Sequence, residues 1–80
     1  MGMIQLLRLL KGYVSFTAEG GFPERFINLC NSNGIVLWDV QNDGVKVKAF
    51  TTTKDFKRIN FPAENSGMEI KDVTEKGLKS

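Results

Sequence analysis

Between Gly12 and Cys30 the spacing of apolar residues changes from two to three and four, which ties a strand directly to a helix. In GYVSFTAEG, Val14, Phe16 and Ala18 share one parity, and Tyr13, Ser15, Thr17 and Glu19 share the other. That is the period of a strand with one buried face. Pro23 then stands where a first helical turn tolerates a missing N–H. After it Phe26, Ile27, Leu29 and Cys30 fall on one side of a helix, and Glu24, Arg25, Asn28 and Asn31 on the other. NSNG ends this helix, with Asn33 or Gly34 as the left-handed cap.

The rest of the chain continues the alternation of strand and helix. IVLWDV is β-branched and aromatic, QNDG is a hairpin turn, and VKVKAF alternates, so two antiparallel strands follow. A two-residue loop sets even residues of the first strand opposite odd residues of the second. Val36, Trp38 and Val40 are then expected to share the core face with Val45, Val47 and Ala49, with Asp39 beside Lys46 and Lys48 on the other face. In TTTKDFKRI, Thr52 or Thr53 caps a second helix that Pro62 interrupts near Asn60, with one further turn to Asn65. Gly67 stops it, and Met68 and Ile70 alternate with Glu69 and Lys71 in a last strand.

The order βαββαβ predicts an α+β, ferredoxin-like sandwich: a four-stranded antiparallel sheet with two helices on one face, preceded by a short N-terminal helix. The expected domain covers 12–76, between an amphipathic segment 1–11 and a tail 77–80. The sheet's second face should carry Tyr13, Ile35, Leu37, Asp39, Lys46, Lys48 and Phe50. That is more apolar area than a solvated face usually shows. Met3, Leu6, Leu7 and Leu10, at helical spacing, are the chain's own candidate to cover it; otherwise a partner does.

Chemistry is mostly excluded. With 80 residues and a net charge of +2, the chain has no run of like charge to grip an anionic polymer, and it contains no histidine. The commonest general base, nucleophile activator and transition-metal ligand is therefore missing, and no catalytic, cofactor-binding or metal-ligating set is read. Cys30 has no cysteine partner, fits a reducing compartment, and reads as a small buried hydrophobe. The early cluster MIQLLRLL, broken by Gln5 and Arg8, is too short to span a bilayer.

Two binding classes remain beside a protein-interaction role. GGFPERFINLCNSNGI resembles the glycine turn, proline and first helix of ACT-type amino-acid sensors, which makes small-molecule sensing the alternative. RNA-recognition motifs share the βαββαβ order, and Tyr13 and Phe50 with Lys46 and Lys48 give a faint base platform. GVKVKAF, however, lacks the usual glycine-aromatic pattern, and Ile35 with Leu37 is greasier than bases need, so nucleic acid ranks last.

Taken together, GYV at 12–14, PERFINLC at 23–30, GIVLWDV at 34–40, KDFKRI at 54–59 and EKGL at 75–78 resemble the N-terminal region of the YqfD family of sporulation proteins. The residues carrying the likeness are Pro23, Glu24, Arg25, Phe26, Asn28, Cys30, Trp38, Asp39, Asp55, Phe56, Lys57 and Arg58. The resemblance implies a role in endospore formation in Gram-positive bacteria, without an assigned enzymatic activity. It also implies the soluble N-terminal part of a longer protein, at the cytoplasmic face of a membrane that a downstream segment spans. The expectation is a non-enzymatic, cofactor-free interaction or assembly domain, with a protein partner or self-association on the open sheet face.

Overall fold

The computed structural model describes residues 12–77; the N-terminal helix expected within 1–11 lies outside the described residues. Strands β1 (Tyr13–Glu19), β2 (Trp38–Asn42), β3 (Lys46–Thr52) and β4 (Glu69–Lys76) alternate with helices α1 (Pro23–Ser32), α2 (Thr53–Phe56) and α3 (Asn60–Ser66). The sheet order is β2-β3-β1-β4 with every neighbouring pair antiparallel, the ferredoxin-like arrangement. Tyr13 pairs with Lys76, so the chain enters and leaves the domain at the same end of the sheet.

The core lies between one sheet face and the helices. Phe16 and Ala18 of β1 and Val47 and Ala49 of β3 meet Phe26 and Cys30 of α1, Ile59 of the turn before α3, Ala63 of α3, and Met68. Phe16 is central, with its ring 6.1 Å from Phe26 and 5.6 Å from Phe56. The strict alternation of burial along β1 follows the alternation of its sequence.

The expected second helix is two pieces. The Thr52 hydroxyl accepts from the Asp55 N–H at 3.0 Å and caps α2. Residues 57–59 then form a turn, and Pro62 falls in the first turn of α3, where its missing N–H leaves no helical bond unmade. Gly67 closes α3 at a left-handed φ of 72°.

The hairpin departs from the sequence expectation. Asn42 pairs with Val47 and Gln41 with Lys48, the parity that the turn predicts, but Trp38 pairs with Phe50. Asp39 sits between them at a φ of 50°, and the extra residue of this bulge reverses the parity of everything before it. Ile35, expected on the open face, is therefore core at 1% exposure, and Leu37 packs against the same core. Trp38 moves the other way, onto the open face. Val36, Val40 and Val45, expected inside, are exposed. The opposite edge repeats the device: Asp72 has a φ of 54° where the β1–β4 register shifts.

The β1–α1 turn is pressed against the α3–β4 turn. Phe22 N–H donates to the Ser66 carbonyl at 2.9 Å, and Gly21 N–H points at the Met68 sulfur at 3.2 Å. A Cβ on Gly21 would overlap the Ser66 carbonyl oxygen and the Gly67 backbone. Gly21→Ala is expected to cost ~1–3 kcal/mol, because two backbones and no flexible side chain must separate. Urea denaturation with and without the substitution measures this; equal midpoints would show that the turns part freely.

Candidate interaction face

Opposite the helices, the register aligns one residue set across all strands. Trp38 and Gln41 come from β2, Lys46, Lys48 and Phe50 from β3, Tyr13, Ser15, Thr17 and Glu19 from β1, and Glu69, Lys71, Thr74 and Lys76 from β4. At the end where the chain enters, three rings meet. Trp38 and Phe50 lie 6.0 Å apart at an interplanar angle of 15°, and Tyr13 is 6.0 Å from Trp38 and 5.9 Å from Phe50. All three are half-buried. Such pairs contribute about 0.5–1.5 kcal/mol each beyond the area they bury.

Toward the hairpin the face becomes polar. Lys46 and Lys48 are exposed, and together with Thr17, Gln41 and Asp72 they border a shallow depression. Lys71 is held by Glu19 at 2.7 Å, with Glu69 more distant at 3.9 Å. The hydrogen bond and charge of Lys71 hold the Glu19 carboxyl below the usual glutamate range, and those of Glu19 raise the Lys71 ammonium above the usual lysine range. At the turn, Lys46 and Val45 donate their N–H groups to the Asp43 carboxylate at 2.7 and 2.8 Å and lower its pKa.

Of the seven residues expected on this face, Tyr13, Lys46, Lys48 and Phe50 are on it, Asp39 is at its bulged rim, and Ile35 and Leu37 belong to the core side. Trp38, expected inside, joins the face in their place. Both parities of IVLW are apolar, so only the backbone of Asp39 separates them.

The motif residues away from this face build the framework. Pro23 opens α1, Glu24 is exposed in its first turn, and Asn28 is exposed beside buried Phe26 and Cys30. Arg25 Nε donates to the Asn65 carbonyl at 2.7 Å, tying α1 to the end of α3. Asp55 accepts the Val36 N–H at 3.2 Å and pairs with Arg58 at 3.2 Å, while Arg58 Nη1 donates to the Asn33 carbonyl at 2.8 Å. These contacts clamp the α1–β2 connection onto α2. Phe56 packs on Phe16, and Lys57 is exposed. Burial pushes the Cys30 thiol up to about 12, so it stays protonated at neutral pH.

Among the described residues no cluster of acidic, cysteine or histidine side chains is placed to hold a metal ion, and no helix is long and apolar enough to cross a membrane. The fold and its ring-bearing face define a small ferredoxin-like α+β domain. A family model described as "Putative stage IV sporulation protein YqfD" matches residues 8–80, and the chain belongs to that family of sporulation proteins. No curated protein and no solved structure matches it.

Two measurements check the chemistry. The Glu19 carboxyl should titrate below an ordinary glutamate in a carbon-detected NMR titration, and Lys71→Ala should return it to the ordinary range. Its stabilising contribution is present above the unfolded-state pKa and is lost as pH falls through the lowered folded value; that of Lys71 is lost only as pH rises through its raised value. Alkylation of Cys30 by iodoacetamide at neutral pH should be slowed, relative to an exposed thiol, in proportion to the small fraction of chain that is open, and fast labelling of the folded chain would contradict its burial.

Proposed function

We propose that this chain is a non-enzymatic interaction or assembly domain that takes a protein partner, or another copy of itself, on its open sheet face. It works as the N-terminal, soluble part of a longer sporulation protein held at the cytoplasmic side of a membrane. The observation carrying this reading is the ring trio Tyr13, Trp38 and Phe50 on the sheet face away from the helices. Rings gathered on one sheet face, bordered by polar groups, match the aromatic anchor and polar rim of an interface.

Photo-crosslinking in sporulating cells tests it. A benzophenone amino acid replacing Lys48 in the full-length protein should give a discrete adduct, and the same group replacing Glu64, exposed on α3, should give none. Adducts from Glu64 alone would move the interface to the helices. Trp38→Ser combined with Phe50→Ser should abolish the Lys48 adduct.

A second reading gains from the bulge. With Ile35 and Leu37 turned inward, the face holds three rings and exposed lysines, the composition on which single-stranded RNA stacks. It predicts quenching of Trp38 fluorescence by a single-stranded RNA dodecamer, weakening steeply with salt. The amino-acid-sensing alternative loses ground, because the Gly21 and Phe22 N–H groups that would hold a ligand are already engaged by Met68 and Ser66.

A further inference from the structure

Phe50, Lys48 and Lys46 occupy every second position of the central strand β3, so they stand in a row on the open face, about 6.8 Å apart. Two shallow depressions follow this row. Val40 and Phe50 give the first an apolar wall, and Thr17 and Lys46 border the second. Gln41 and Lys48 border both, so the two join into one trough that runs from a ring to two ammonium groups.

The lysines of the face differ in what they hold. Lys71 has Glu19 at 2.7 Å and Glu69 at 3.9 Å, whereas Lys46 and Lys48 make no ion pair among the described residues. Glu19 is the cross-strand neighbour of Lys46, but its carboxylate is engaged by Lys71. The trough therefore carries two exposed cations in register with a ring, and neither has a carboxylate of this domain in contact with it.

A phosphate backbone fits this place poorly. Asp39, Asp43 and Asp72 border the same depressions, and affinity for nucleic acid grows with the number of phosphates that cations neutralise. Two separate carboxylates need only the two ammonium groups present.

We propose that the trough takes an extended segment of a protein partner in which an apolar residue is followed at the second and fourth positions by acidic residues. The apolar side chain lies against Val40 and Phe50, and the carboxylates lie on Lys48 and Lys46. An extended chain repeats the side chains of one face at the spacing of β3 itself, so all three contacts are made in one register. The proposal rests on reading the open face as the interaction surface, and it narrows the partner to a different protein. No two acidic residues among these 80 stand two positions apart, so no extended segment of a second copy of this chain carries the pattern.

Two blocked peptides of equal composition, titrated into the isotope-enriched chain, test this. In one, a leucine is followed by glutamates at the second and fourth positions, with threonine elsewhere; in the other the glutamates stand at the first and third, on the opposite side of an extended chain. The first should shift the amides of Gln41, Lys48 and Phe50 and bind severalfold more tightly than the second. Lys46→Gln with Lys48→Gln should weaken it by roughly threefold to thirtyfold, the range for two exposed ion pairs, and Lys46→Arg with Lys48→Arg should preserve it. Equal binding of the two peptides, or binding indifferent to the loss of both lysines, would overturn the proposal. Shifts of the same amides by a single-stranded RNA dodecamer and by neither peptide would also overturn it and assign the trough to nucleic acid. A Lys48 cross-link in cells, with neither peptide bound, would remove the acidic segment and leave the interaction face standing. Cross-links from Glu64 alone, with register-dependent peptide binding intact, would do the reverse.

Discussion

The backbone of Asp39, held left-handed in the edge strand β2, decides which side chains are core and which are surface. Strand side chains alternate with a period of two, so one inserted residue exchanges the faces of all that come before it. Here the exchange puts Ile35 beneath the helices and Trp38 beside Phe50. Asp tolerates this conformation better than a β-branched residue would. Asp72 interrupts the other edge strand in the same way, so both outer strands of the sheet are irregular, which blunts the tendency of free edges to add further strands.

Where the two parities of a segment differ in polarity, the fold is legible in the residues. β1 is the clearest case: Val14, Phe16 and Ala18 against Ser15, Thr17 and Glu19 leave one possible buried face, and that face is the core. The α1 helix, the Thr52 cap, the break at Pro62 and the stop at Gly67 follow from equally local chemistry. IVLW is different because either face is apolar, and the choice rests on a backbone torsion four residues after Ile35. The same holds for the face: the lysines, Tyr13 and Phe50 lie in cleanly alternating strands, whereas Ile35, Leu37 and Trp38 lie upstream of the bulge.

The residues on which the sequence resemblance rests are largely scaffolding, but polar scaffolding. Asp55 and Arg58 act on backbone groups, accepting from Val36 N–H and donating to the Asn33 carbonyl, and Arg25 acts on the Asn65 carbonyl. A loop entering an edge strand has main-chain groups that no ladder satisfies, and the clamp supplies partners for them. Arg58 is half-exposed and Asp55 mostly buried, so the clamp contributes through geometry more than through Coulomb attraction. It fixes where Leu37 and Trp38 begin, and thereby supports the ring face from behind.

The pairing of Tyr13 with Lys76 has a mechanical consequence. Because the two ends of the domain leave from the same end of adjacent antiparallel strands, a pull that separates them acts across the ladder and not along it. The β1–β4 hydrogen bonds would then break one after another, like a zipper, instead of sharing the load. A domain connected in this way yields at low force, with the core of β1, β3 and α1 exposed only after β4 has peeled away.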